Sequence, residues 1–412
     1  MMRTKSLTVV LMIGLVLSAC QKNASNDQKK LEQNTKGSFG NDLAFLQNHK
    51  EVVVLMAPDN PEAKAVVVPA YQGRVMTSTA TGSGGNSYGW INYDLISSGV
   101  HQPHMNAFGG EERFWLSPEG GQFSVYFKKG QAFSFENWQT PALIDTVAYQ
   151  VAESDNSSVA LTIDATITNY SGTDFQIKID RKVSMLGQSS VLTSLDIKDL
   201  GKCKSVAYET VNAVTNKGAA WTPEKGMLGI WLLGMFKPTD RTVIVAPFKS
   251  EHDTKPAITD NYFGKIPADR IAVRDSALFL KADGKFRSKI GIAPKSAKNV
   301  AGSYDAEKGV LTIIQYDMDR GERYLKSSWE FHNDPYAGDV LNAYNDGKLD
   351  DGTQMGPFYE LESNSSTRAL KTGETLIHRQ RTYHFEGDDV VLDVIAKKVL
   401  GVGLSEIMSV FE

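Results

Sequence analysis

Apolar and polar residues alternate along most of the chain. In Ser158-Val159-Ala160-Leu161-Thr162-Ile163-Asp164-Ala165-Thr166-Ile167 the period is two, and it recurs in Phe175–Asp180 and in Gln122–Phe127. Further strands are expected at about 51–57, 64–69, 74–80, 145–152, 190–197, 204–215, 276–281, 309–317, 323–332, 356–363 and 375–386. Gly, Asn, Asp and Pro separate them, as turns require. No long helical period lies between the strands, so parallel βαβ folding is not expected. Helical spacing occurs at two places. One is about Asn41–Asn48, with Leu43, Phe45 and Leu46 as its apolar contacts. The other is the C-terminus, where Asp388 can cap a helix carrying Val391, Leu392, Ile395 and Val399, with Lys397 and Lys398 in its last turn and Gly401 beyond. Neither a repeat nor a linker interrupts 39–412. The pattern predicts an all-β fold, one large antiparallel β-sandwich with a short C-terminal helix.

The first 38 residues follow another rule. Arg3 and Lys5 precede an apolar run, Leu7 to Leu17, that is too short to span a bilayer as a finished helix. It ends in Leu17-Ser18-Ala19-Cys20, which resembles the lipobox of bacterial lipoproteins, whose Cys becomes the lipidated N-terminus after cleavage. The resemblance implies a signal peptide over 1–19, lipidation at Cys20 and a membrane anchored through that lipid. Gln21, in place of Asp, implies the outer membrane, with a periplasmic or surface-facing domain. An ordinary secretory signal followed by a chance Cys is the alternative. From Gln21 to Ser38 the chain is mostly Gln, Asn, Lys, Ser and Asp, so 20–38 reads as a flexible tether.

Composition narrows the rest. Lys and Arg number 44 against 48 Asp and Glu, hydrophobic residues make up 41% and charged residues 22% of 412. Those values suit a soluble globular domain and exclude wholesale disorder, collagen-like repeats and a multi-span membrane protein. Without a basic face for phosphates, nucleic acid is not an expected partner. Cys20 and Cys203 are the only cysteines, so no disulfide framework staples the fold.

Several motifs fail on context. Thr81–Ser87 is glycine-rich but lacks the Gly-Lys-Ser/Thr ending of a phosphate loop. Gly85-Asn86-Ser87-Tyr88-Gly89 matches a nucleophile elbow in letters, yet no strand precedes it and no helix follows, so a turn is expected. Cys203 has no evident His partner and reads as a packed small residue. His101, His104 and Glu111 lack a spacing that would converge on a metal, and no metal or cofactor is expected. Asp339–Gly352 is rich in oxygen ligands but lacks EF-hand spacing; a turn-rich loop is the main reading and calcium the lesser one.

Polar chemistry concentrates in three segments: His101–Gly121, Tyr208–Trp221 and Gly356–Ser365. The first offers Trp115 as a flat face for a sugar ring and Arg113 as a fixed fork of donors, whereas Trp221 and Trp231 read as core. In the third, a strand would put Glu360 and Glu362 on one face. Two carboxylates held close raise one pKa, which suits a general acid or base. A solvated strand face or simple ion pairs are the bland alternatives, with Arg113 pairing to Glu111 or Glu112.

Here the chain resembles galactose mutarotase-like (aldose 1-epimerase-like) proteins. The likeness is carried by Val66-Val67-Val68-Pro69-Ala70-Tyr71-Gln72-Gly73-Arg74-Val75-Met76, by Gly110-Glu111-Glu112-Arg113-Phe114-Trp115, by Val214-Thr215-Asn216 and by Leu361-Glu362-Ser363, over roughly 45–385. Mutarotase-like bacterial lipoproteins share Tyr336-Ala337-Gly338-Asp339 and Gly356–Ser363 as well. The resemblance implies a β-supersandwich and a carbohydrate ligand. It makes Glu362 the catalytic base, with Glu360 tuning it, and Arg113, His101, His104, Trp115 and Asn216 substrate contacts. In the family a His after the Thr-Asn protonates the ring oxygen; here that position is Lys217, a poor acid at its ordinary pKa of about 10.4 unless buried. His101 or His104 could supply the acid from another loop. Two readings follow: an enzyme acting at or near the anomeric carbon, or a non-catalytic glycan-binding surface lipoprotein, which Lys217 favours. A metal-dependent hydrolase or lyase is a third, weaker class.

Overall fold

Alternation places the strands Asp174–Met185 and Lys204–Asn216 side by side in a ten-stranded antiparallel sheet of the computed structural model, which describes residues 37–249, 255–320 and 322–412. In order, the sheet runs Ile271–Val273, Ala277–Lys281, Thr242–Pro247, Val300–Asp305, Val310–Tyr316, Thr375–Glu386, Lys204–Asn216, Asp174–Met185, Ser158–Thr168 and Gln150–Ser154. The facing layer is in two pieces. Six strands run Ile258–Thr259, Ser288–Ile292, Leu341–Asn345, Tyr359–Asn364, Gly229–Phe236 and Arg113–Ser117, and three form the meander Val53–Ala57, Asn60–Val68 and Arg74–Thr79. A bridge between Val75 and Glu112 joins the pieces. The result is an all-β antiparallel sandwich. Cys20, the expected signal peptide and nearly all of the expected tether lie outside the described residues.

Apolar side chains close the two layers: Leu361, Leu341, Ile290 and Phe236 of the six-stranded sheet pack with Ile244, Leu278 and Ile314 of the ten-stranded one. The other face of the large sheet is covered by Gln188–Leu195 and the C-terminal helices Asp389–Val399 and Leu404–Ser409, which set Val191, Leu392, Ile395 and Ile407 against Val245, Phe279 and Phe385. Burial of this area is the main source of stability. No described helix is long and apolar enough to cross a membrane.

A polar seam runs between the layers. Arg181, fully buried, donates to Glu112 Oε1 at 2.9 Å, to Asn212 Oδ1 at 2.5 Å and to the Gly73 carbonyl at 3.0 Å. Gln380 donates to Glu112 Oε2 at 3.0 Å and accepts from Ser363 Oγ at 2.8 Å. Buried groups of this kind are tolerated because their partners are complete. The seam pins the strand Tyr359–Asn364 to the large sheet through Ser363.

Local rules explain the departures from expectation. Residues 190–195 of the strand expected at 190–197 belong to the helix Gln188–Leu195, whose Val191 and Leu195 are four apart and share its buried face. Gln122–Phe127 and 323–332 contain no strand; Phe123, Tyr126 and Phe127 are buried by packing as loop residues. The strand Gly229–Phe236 is buried at every position, so it shows no alternation to read. The N-terminal helix spans Phe39–His49, capped by Ser38 Oγ accepting from the Asn41 amide at 3.3 Å. Asp388 stands at the N-cap of Asp389–Val399 without a capping hydrogen bond from its side chain.

Candidate functional site

Directly opposed residues of an antiparallel pair share a face of the sheet. Glu362 opposes Leu233 and Asn342, Leu233 opposes Arg113, Glu360 opposes Tyr344, and Tyr344 opposes Lys289. Arg113, Lys289, Asn342, Tyr344, Glu360 and Glu362 therefore stand on the face of the six-stranded sheet turned away from the large sheet. Tyr359, Leu361 and Ser363 point inward and hold that orientation: the hydroxyl of Tyr359 meets Ser303 at 2.7 Å and Ser363 Oγ meets His378 Nε2 at 2.8 Å.

On the outer face each glutamate is held by a cation. Arg113 Nη2 lies 2.5 Å from Glu360 Oε1. Glu362 Oε2 accepts from Trp231 Nε1 and from Lys289 Nζ, both at 3.0 Å, while its Oε1 is buried with no hydrogen-bond partner in the protein. Lys289 keeps 13% of its side chain exposed and sits 4.8 Å from the Trp231 ring. Burial pushes the Glu360 carboxyl up to about 7; Arg113 opposes this and Glu362 adds to it. Glu119, from the loop after Arg113–Ser117, joins the cluster. Burial raises its pKa, Lys289 and the nearby Trp329 counter, and Glu362 adds to the rise. Tyr262 completes the wall, donating to Asp339 Oδ2 at 2.6 Å. The arrangement holds a fixed carboxylate with one oxygen unpartnered beside a carboxyl poised near neutrality, the pairing that acid–base chemistry uses.

The expected site residues divide. Glu360, Glu362 and Arg113 come together, and Arg113 pairs with Glu360 in place of Glu111 or Glu112. Trp115 is 4% exposed, with the Arg113 guanidinium over its ring at 4.4 Å, so it is part of the wall and not an open platform. Lys217 is exposed at the end of a strand of the large sheet, touching neither glutamate, and its expected place as acid is not met. The Asn216 amide serves the same turn, donating to the carbonyls of Ala219 and Leu370, which leaves it no sugar to hold. His104 is half-buried, with Nδ1 2.7 Å from the Trp138 carbonyl, and His101 is exposed on the same loop. Ser87 is buried, in contact with Asp42 at 2.5 Å and Thr77 at 2.6 Å, as a structural turn residue. Burial raises the Cys203 thiol to about 11. Glu111 is taken by Ser78 and His384, away from His101 and His104. Among the described residues no group of three or more His, Cys, Asp or Glu is placed to hold a metal. Asp339 and Asp346 are engaged separately by Tyr262 and Tyr344.

Lys289, Trp231, Glu119 and Tyr262 are the partners that sequence reasoning misses. Trp231 is buried as expected, yet its N–H serves Glu362. Lys289 gives one signal, a lone charge between Ser288 and Ile290 in a short apolar strand.

Several solved structures are similar to this chain. The Slr1438 protein from Synechocystis sp. PCC 6803 is 10% identical with a TM-score of 0.49, covering 82% of this chain and 96% of that one. A galactose mutarotase related enzyme from Lactobacillus acidophilus is 8% identical with a TM-score of 0.43, covering 82% and 98%. A galactose mutarotase-like protein from Lactobacillus casei is 11% identical with a TM-score of 0.44, covering 82% and 99%. No curated protein matches the sequence. Residues 37–411 match one family over the whole sandwich, and the chain belongs to it: DUF6786, a family of unknown function.

Proposed function

We propose that the outer face of the six-stranded sheet binds a carbohydrate and moves protons at or next to its anomeric carbon. The observation that carries this is Glu362, a buried carboxylate with one oxygen fixed by Trp231 and Lys289 and the other without a partner. In the reaction Glu362 takes the anomeric hydroxyl proton while neutral Glu360 protonates the ring oxygen. The bond from the anomeric carbon to the ring oxygen breaks, the open-chain aldehyde turns about its first carbon–carbon bond, and reversal closes the other anomer. Glu360, with its pKa raised to about 7, replaces Lys217 as the acid. Arg113 holds Glu360 and reaches toward hydroxyls.

A second reading is a glycan-binding module without turnover. It is favoured by the two cations already paired with the glutamates and by the absence, among the described residues, of a His bonded to either. Lipidation at Cys20 and an outer-membrane address belong to both readings, on the strength of Leu17-Ser18-Ala19-Cys20 and Gln21.

Proton NMR of a monosaccharide and uronic-acid panel with the protein added separates the two. Accelerated exchange between anomeric signals supports the enzyme. Line broadening without exchange supports the binding module, and no effect on any sugar of the panel counts against both.

A further inference from the structure

From Glu362 outward the site continues into an aromatic series. Trp231, whose N–H holds Glu362, meets Trp115 at 5.5 Å between ring centroids, and Trp115 meets Tyr126 at 5.5 Å. Tyr126 lies parallel to Trp138, 2° apart in plane at 6.3 Å, and Trp138 stacks in turn with Trp329 at 5.8 Å and Phe135 at 6.1 Å. Phe331 leans on Phe133 at 5.2 Å. The inner rings are buried, but Phe135 is 58% and Phe331 67% exposed.

Phe331 joins the series through Phe133, which meets Phe127 at 5.1 Å, and Phe127 meets Trp329 at 5.2 Å. Two large apolar side chains held in the open at the edge of one buried aromatic cluster are not core, and exposed rings of this kind mark a binding surface. The backbone on either side is held. The Trp138 amide donates to the carbonyls of Ser134 and Phe135, the Asn137 side chain donates to the Ala132 carbonyl at 3.1 Å, and next to Phe331 the His332 amide donates to Gln122 Oε1 at 3.0 Å. The buried indole N–H of Trp138 has no partner in the protein. The rim is tied to the charged cluster as well, because the Glu119 amide donates to Ser327 Oγ at 3.3 Å, two residues before Trp329, and the Glu119 carboxyl feels both Lys289 and Glu362. A sugar ring offers an apolar face edged by hydroxyls; the rim offers ring faces edged by the exposed Gln139 and the half-buried Asn137 amides.

We propose that the exposed rings of Phe135 and Phe331, backed by Trp138 and Trp329, form outer sugar subsites, so that the ligand of this face is an oligosaccharide chain whose terminal unit lies over Glu362. This rests on the carbohydrate reading above. The terminal unit meets the glutamates, and the following units run along the rim.

Calorimetric titration of the full-length chain tests it, with glucose, galactose and mannose and their β-1,4-linked tetrasaccharides as probes. At least one tetrasaccharide is expected to bind about tenfold or more tightly than its monosaccharide. The F135A/F331A double variant, altered at exposed positions, is expected to lose that gain and to keep monosaccharide affinity within about twofold. F135Y/F331Y, which restores the rings, is expected to recover it. Equal affinity for both lengths, or a gain that survives F135A/F331A, overturns the proposal and leaves the glutamate site standing. Loss of monosaccharide binding in F135A/F331A overturns it too, since the rim would then hold the terminal unit itself. No binding of any probe removes the proposal together with the carbohydrate reading.

Discussion

On the proposed reading, how well Glu362 acts depends on how its carboxylate is held. The indole N–H of Trp231 and the Lys289 ammonium both fix Oε2, and of the two the rigid ring sets the direction of the Oε1 lone pairs. Trp231→Phe keeps most of the ring and removes the donor. Turnover should fall about tenfold, the usual worth of a hydrogen bond to a charged group, with little change in affinity measured by titration. Glu360 makes a separate prediction about pH. An unfolded glutamate titrates near 4.5 and this one, folded, near 7. The fold therefore favours the protonated form: its stabilising share is complete below about 4.5 and is lost as pH rises to about 7. His378 works the opposite way, since burial lowers it to about 3, so its share is complete above about 6.5 and is lost as pH falls. The useful quantity is thus a difference. Urea unfolding at pH 4.5 and 7.5 should show wild type losing ground to Glu360→Gln across the window; a constant difference would mean that the Glu360 pKa is not raised.

At the scale of elements, the strand Tyr359–Asn364 is placed by what lies behind it. Its inner residues touch a seam in which Arg181, Glu112, Gln380 and Ser363 complete one another. Arg181→Met would leave Glu112 charged, buried and unpaired, at a cost of about 3–5 kcal/mol. Arg181→Met combined with Glu112→Leu should recover much of that, since no charge is then stranded. Thermal unfolding of the three proteins checks the order; a single variant as stable as the double would show that the pair is not coupled. The same element shows what a lone sequence reveals. Glu360 and Glu362 are legible as neighbours because strand parity alone puts them on one face. The partners Trp231 and Lys289 are not, because they reach that face through pairing across 131 and 73 residues. Gly229–Phe236 hides for a second reason: burial on both faces erases the alternation by which a strand is recognised.

For the whole molecule, the all-β architecture was readable because the long strands of the large sheet, such as Asp174–Met185 and Lys204–Asn216, alternate between buried and more exposed positions. The sandwich places Asn216 at the end of a large-sheet strand with Lys217 just beyond it, and the glutamates on the far face of the other layer, which no local pattern could disclose. The expected anchor adds a prediction of its own: Cys20→Ser should move the protein from the membrane to the soluble fraction of the producing cell. If the distribution is unchanged, the Cys20 reading fails. The central claim, that Glu362 moves protons on a bound sugar, is tested most directly by Glu362→Gln. Exchange spectroscopy on the sugar that responds best to wild type gives the interconversion rate and the line width in one sample. The rate should fall to that of the sugar alone while broadening by the variant persists. Exchange as fast with Glu362→Gln as with wild type would contradict it.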